Sequence, residues 1–292
     1  MNSILEQIGK VGLVPVIKIK DPQKAVPLAK SLKKGGVPVA EVTFRTEAAA
    51  KAIENIATTL PDIILGAGTV LSVEQAKTAV AAGAKYIITP GFDEKVVGYC
   101  VEHGIPVTPG CSNASEVTKA VGFGLEVVKF FPAEALGGIK VLKALAGPFP
   151  NIKYIPTGGI GPHNLLDYIS INKVLACGGS WMVPDNLVES EDWEGITRLA
   201  RQAVISMLAP EVSQIQISET EQNNVLATLM SELINKPFAN AEGQNLVTIS
   251  VTSIERLENF LILLGLKTIK QDSSIRLADS LSGFNIRFTN KN

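Results

Sequence analysis

Short β-branched runs alternate along the chain with longer Ala-, Lys- and Glu-rich stretches whose apolar residues recur at helical spacing. The runs at 14–19, 39–43, 63–66, 86–89, 106–109, 127–130, 154–156 and 174–177 predict strands. An amphipathic segment at 3–9 predicts an opening helix. Further helices are predicted at 22–34, 47–59, 73–82, 93–102, 113–121, 137–145, 162–170 and 191–207. Strand and helix signals in alternation imply parallel βαβ units. Eight such units favour an α/β (β/α)8 TIM barrel over an open sheet. Many of the strand runs end in Gly, Pro, Thr or Ser, as in Gly66-Ala67-Gly68-Thr69, Thr89-Pro90-Gly91, Pro156-Thr157-Gly158-Gly159 and Gly178-Gly179-Ser180. In a barrel these loops gather at the C-terminal face of the strands, where active sites are built; the plain alternative is a set of ordinary turns.

The pattern changes near residue 210, at Ala209-Pro210-Glu211. Residues 214–236 predict a strand and a helix. Residues 245–251, 253–266, 267–271, 274–279 and 285–289 then predict strand, helix and three strands. The expected organisation is therefore a barrel over 1–210 and a small α+β module over 211–292. The module's order resembles a half-module of the vicinal-oxygen-chelate (glyoxalase-like) fold. It contains no His and no Cys, so oligomerisation or effector binding is expected of it rather than a metal centre.

Composition narrows the class. The 292 residues are 46% hydrophobic and 19% charged, too apolar for disorder. A net charge of -1 gives no reason to expect nucleic acid or an anionic membrane as partner. No uninterrupted apolar run reaches the roughly 18 residues of a membrane span, and no signal-peptide core is recognisable. Cys100, Cys111 and Cys177 are odd in number and form no C-x-x-C motif, which fits a reducing cytoplasm.

Only two histidines exist, His103 and His163. Neither falls at a strand C-terminus, so a Ser-His-Asp triad or a His-based metal site is hard to assemble; both read as surface or capping residues. Lys129 is different. It lies at the end of a strongly apolar strand, Glu126-Val127-Val128-Lys129-Phe130-Phe131, and strand alternation points it into the barrel mouth. Apolar surroundings disfavour an ammonium, and a neutral amine is what attacks a ketone. A lysine that snorkels to the rim or pairs with a carboxylate is the alternative. Glu41, flanked by Ala40 and Val42 in the second strand, is either half of a buried ion pair or a general base beside a Schiff-base nucleophile. Arg45, just past that strand, could grip a carboxylate, and Thr69 could donate to the same group. The loops Thr157-Gly158-Gly159 and Gly179-Ser180 follow the last two strands, where barrel enzymes often bind phosphate through backbone N–H groups.

At this point the residues resemble those of a known family. VPVI at 14–17, EVTFRT at 41–46, GAGTVL at 66–71, TPG at 89–91, PG at 109–110, KFFPAE at 129–134, AGPFP at 146–150, PTGGI at 156–160 and GGSWMVP at 178–184 run in order. Together they resemble the 2-keto-3-deoxy-6-phosphogluconate (KDPG) and 2-keto-4-hydroxyglutarate (KHG) aldolases. The resemblance covers about residues 1–208. It implies a homotrimeric barrel with no metal and no cofactor, acting on a small 2-keto acid in the Entner–Doudoroff pathway. Lys129 is then the Schiff-base lysine and Glu41 the general acid/base. Arg45 and Thr69 hold the pyruvyl carboxylate, Pro90 and Phe131 line the pocket, and Thr157 lies beside the substrate. Gly158, Gly159, Gly179 and Ser180 meet the phosphate. Phe44 departs from the small residue or Leu that often precedes the arginine, with no expected change in chemistry. Another barrel enzyme class, or a non-catalytic barrel, would be the competing readings.

Overall fold

The computed structural model describes residues 1–218, 238–241, 245–281 and 284–291. The chain divides into two compact units, Met1–Val204 and Ile205–Asn292.

The first unit opens with helix α1, Ser3–Val11, whose Asn2 side chain accepts from the Ile4 N–H and whose left-handed Gly12 ends the helix. Parallel strands and helices then alternate. The strands are β1 Leu13–Ile17, β2 Val39–Thr43, β3 Ile64–Gly68, β4 Tyr86–Ile88, β5 Val107–Thr108, β6 Gly110–Cys111, β7 Val127–Phe130, β8 Lys153–Pro156 and β9 Cys177–Gly179. The helices are α2 Ala25–Lys34, α3 Ala49–Thr59, α4 Val73–Ala81, α5 Glu94–Glu102, α6 Ala114–Gly122, α7 Gly138–Ala146, α8 Leu165–Ile169, α9 Asp185–Glu189 and α10 Trp193–Leu208. Helix starts are chemically marked: Ser72, Asp93 and Asn113 accept from first-turn N–H groups of α4, α5 and α6.

Six strands pair in the order β5-β4-β3-β2-β1-β9 and three in the order β6-β7-β8. Pro109 separates β5 from β6 because it has no N–H for the ladder. Its carbonyl still accepts from Lys129 N at 2.9 Å. Parallel bridges Tyr154↔Val174 and Thr157↔Gly178 join β8 to the β9 segment. The pairing thus returns to its start, and the unit has a TIM-like α/β fold. Val39, Ala40 and Val42 of β2 and Val127, Val128 and Phe130 of β7 are all at most 1% exposed, which is why these strands read as apolar runs interrupted only by Glu41, Thr43 and Lys129.

Several details differ from the sequence expectation: the strand expected at 106–109 is split by Pro109 into β5 and β6, and β1 ends at Ile17 rather than at residue 19. The last strand is Cys177–Gly179 rather than 174–177, because Leu13–Pro15 of β1 pairs with that stretch while Val174 forms only a single bridge. The short α9 was not expected; five residues are too few to display a helical period. Helix α8 is shorter than 162–170, since Gly161–Asn164 forms a turn in which Asn164 accepts from Gly161 N.

In the second unit the strands are β10 Glu211–Ser218, β11 Phe238–Ala241, β12 Leu246–Val251, β13 Thr268–Gln271, β14 Ser274–Leu277 and β15 Asn285–Asn290. They form one mixed sheet ordered β11-β10-β12-β15-β14-β13. Helix α11, Ile254–Leu263, is capped by Ser253 and buries Leu257 and Leu261. Strand β11 was not expected from the sequence. The helix expected within 214–236 lies outside the described residues.

Candidate active site

Lys129 on β7 and Glu41 on β2 lie 88 positions apart in the sequence and on opposite sides of the strand circuit. Side chains from opposite strands meet only if both point inward. They do meet: Lys129 Nζ is 3.3 Å from Glu41 Oε1. The residues are only 5% and 1% exposed. The Nζ also stands 5.2 Å from the centre of the Phe131 ring, within cation–π reach. Burying two charges costs several kcal/mol per ion, which their attraction does not reliably return. Such a pair is therefore poorly explained by stability and is a strong candidate for chemistry.

The strand beside Glu41 makes room for it. Glu41 pairs in register with Gly66 of β3, and Thr43 with Gly68. A Cβ at Gly68 would stand 2.1 Å from Glu41 Oε1, and one at Gly66 would stand 2.3 Å from the Tyr86 ring. Tyr86 is buried; desolvation first, then the Glu41 charge, holds its phenol well above its ordinary value. It stays neutral beneath the carboxylate.

A cavity of about 380 Å³ opens at the strand ends; Lys129 and Glu41 do not themselves line it, but Phe131, whose ring centre stands 5.2 Å from Lys129 Nζ, does. Arg45, Phe131, Thr157, Gly158, Gly159, Gly179 and Ser180 all line it. Thr43 accepts from Arg45 Nε at 3.1 Å and donates to the Ile17 carbonyl at 2.8 Å, tying the guanidinium to the β1–β2 ends. The loop after β8 turns through two left-handed glycines, Gly158 at φ 97 and Gly159 at φ 80. A Cβ at Gly159 would press within 2.6 Å of Glu134. Glu134 accepts from the buried Tyr168 hydroxyl, and its N–H donates to the Gly158 carbonyl. Thr157 is buried against Gly178, where a Cβ would stand 2.3 Å from Oγ1.

Thr69 and Pro90 do not line this cavity. Thr69 follows β3 in the left-handed region at φ 55, a conformation costing a non-glycine residue roughly 1–2 kcal/mol. The Pro90 carbonyl lies 2.0 Å from where a Gly110 Cβ would stand, so Gly110 admits that turn. Both histidines are exposed; His103 caps α5 with Nδ1 at 2.9 Å from the Tyr99 carbonyl. Among the described residues, no group of three or more His, Cys, Asp or Glu is placed to hold a metal. Sequence reasoning missed Val16, Lys18, Ile160, Val183 and Asp185 on the cavity wall. The GGSWMVP motif ends one residue before Asp185, which was the available signal for that residue.

The family model described as KDPG and KHG aldolase matches residues 4–199. This chain belongs to that family. A 2-dehydro-3-deoxy-phosphogluconate aldolase of Treponema pallidum is 47% identical over 204 residues, spanning 70% of this chain and 97% of the relative. The KHG/KDPG aldolase of Escherichia coli is 49% identical over 192 residues, 66% of this chain and 90% of that one. Among solved structures, a KDPG aldolase from Legionella pneumophila, with pyruvate captured as a covalent carbinolamine, superposes with a TM-score of 0.66 at 40% identity. That match covers 68% of this chain and 97% of the other. These KDPG/KHG aldolases are thus accounted for nearly whole, while close to a third of this family member lies beyond them. No helix among the described residues is long and apolar enough to cross a membrane.

Proposed function

We propose that this chain is a class I aldolase that cleaves 2-keto-3-deoxy-6-phosphogluconate to pyruvate and D-glyceraldehyde 3-phosphate. It also takes 2-keto-4-hydroxyglutarate to pyruvate and glyoxylate. The observation that carries the reading is the buried Lys129–Glu41 pair facing across the strand circuit, with Phe131 standing between Lys129 and the open cavity it lines. The carbinolamine in the Legionella relative supports an amine nucleophile.

Lys129 adds to the C2 carbonyl and water leaves, giving an iminium. Glu41, directly or through a water, takes the C4 hydroxyl proton. The C3–C4 bond breaks, its electron pair passes into the iminium as an enamine, and the aldehyde departs. Glu41 returns a proton to C3, and hydrolysis frees pyruvate and the amine. Arg45 and Thr69 hold the pyruvyl carboxylate, Pro90 and Phe131 flank the reacting carbons, and Thr157 lies beside them. Gly158, Gly159, Gly179 and Ser180 receive the phosphate. We further propose that residues 1–210 form a complete (β/α)8 aldolase domain working as a cytoplasmic homotrimer in the Entner–Doudoroff pathway, with 211–292 as an α+β module that assists association or binds an effector.

Borohydride reduction in the presence of pyruvate tests the core of this reading. A stable adduct mapping to Lys129 by peptide mass spectrometry is expected. No adduct, or one on another lysine, overturns the assignment.

A further inference from the structure

The cavity wall carries three charged side chains: Arg45, Lys18 and Asp185. Lys18 is the first residue past β1. That strand pairs with β9 through Pro15↔Gly179 and with β2 through Val16↔Glu41. Lys18 therefore emerges between the Gly179-Ser180 loop and the strand that leads to Arg45. Arg45 is tethered through Nε to Thr43 and is the cation proposed for the pyruvyl carboxylate. Lys18 is held only loosely. Its Nζ is 3.7 Å from Asp185 Oδ2, beyond hydrogen-bond distance, and the two side chains are 40% and 58% exposed. Exposed pairs of this kind are weak, so the ammonium can exchange Asp185 for a stronger anion at little cost.

We propose that Lys18 is a specificity-determining residue: the cation that meets the distal phosphate of the substrate, with Asp185 as its resting partner. This deepens the aldolase reading and rests on it. The chemistry separates the two substrates. In 2-keto-3-deoxy-6-phosphogluconate the phosphate hangs from the C6 oxygen, two carbons and an oxygen beyond C4. In 2-keto-4-hydroxyglutarate the distal carboxylate is attached to C4 itself and carries one charge, so it stops short of the wall that Lys18 shares with Gly158, Gly159 and Ser180.

The experiment is steady-state kinetics of the full chain with Lys18→Gln and Lys18→Arg, using both substrates, with inorganic phosphate as competitive inhibitor. For Lys18→Gln, kcat/KM on the phosphorylated substrate falls about tenfold or more, the usual weight of one charge-assisted hydrogen bond. On 2-keto-4-hydroxyglutarate it changes by less than about twofold, and phosphate inhibits more weakly. Lys18→Arg keeps most of the preference, and Asp185→Asn strengthens phosphate inhibition. Equal losses on both substrates, or no loss on either, overturn the proposal. Borohydride trapping of pyruvate, which has no distal anion, distinguishes its failure from that of the aldolase reading. Normal trapping by wild type and Lys18→Gln with unchanged substrate preference removes Lys18 alone. No trapping by the wild type removes the reading beneath it.

Discussion

At the scale of single residues, Glu41 sets the problem. Its carboxylate lies in a strand otherwise made of Val, Ala and Thr, and it reaches Lys129 at 3.3 Å. Glu41→Gln keeps the shape and removes the proton carrier. The expected outcome is a fall in kcat/KM of about 10²–10⁴-fold, the usual range for a lost general acid/base, with pyruvate still trapped on Lys129. Turnover within a few-fold of wild type would assign Glu41 to packing. The cysteines make a second prediction. Burial pushes the Cys100 thiol up to about 11 and, with a smaller push from Glu116, the Cys111 thiol up to about 12, from an ordinary 9.0. Both should resist iodoacetamide at pH 8 until the protein unfolds. Because the folded values are raised, the protonated thiols stabilise the fold fully below about pH 9. That contribution drains away as pH climbs toward 11 and 12. A urea midpoint that does not drop between pH 8 and pH 10.5 would contradict it. Lys129 and Glu41 were readable in sequence because each breaks an apolar run. Lys18 was not, since nothing local separates it from any surface lysine.

At the scale of elements, β3 shows how an ordinary-looking strand shapes a site. Gly66 and Gly68 leave the space that the Tyr86 ring and the Glu41 carboxylate fill. Gly66→Ala forces a methyl into the ring and should cost about 1–3 kcal/mol in a denaturation experiment, as overpacking does. Gly68→Ala should instead lower kcat more than stability, because the atom it strikes is Glu41 Oε1. Similar losses of stability from both, with kcat untouched, would show that Glu41 relaxes freely. The glycine pairs just past β8 and at the end of β9 were legible because Gly-Gly pairs beside an apolar run are a local signal. The role of Gly66 was not, because the ring it accommodates comes from another strand.

At the scale of the whole molecule, the family match covers residues 4–199 and stops short of the second unit, which begins at Ile205. The Treponema enzyme is covered over 97% of its length by 70% of this chain. A chain truncated after Pro210 should therefore still trap pyruvate and turn over substrate; a soluble, folded truncation without activity would make the second unit part of the catalytic machinery. Light scattering of the full and truncated chains would test the proposed trimer and show whether 211–292 alters it. Among the described residues of that unit, Ile262, Leu266 and Leu281 are 59%, 44% and 64% exposed.

Period and punctuation, which are local, determined the alternation of strands and helices, the family motifs and the two anomalous charged residues. They also marked the change of pattern near residue 210. What required tertiary structure was everything that depends on closure of the strand circuit. Only closure turns β2 and β7 to face each other, so only closure brings Glu41 to Lys129 across 88 positions. Closure also gathers Lys18, Arg45 and the two glycine loops around one cavity. Inward and outward along a strand alternate in any sequence, but which charge an inward lysine meets is decided by the ring of strands around it.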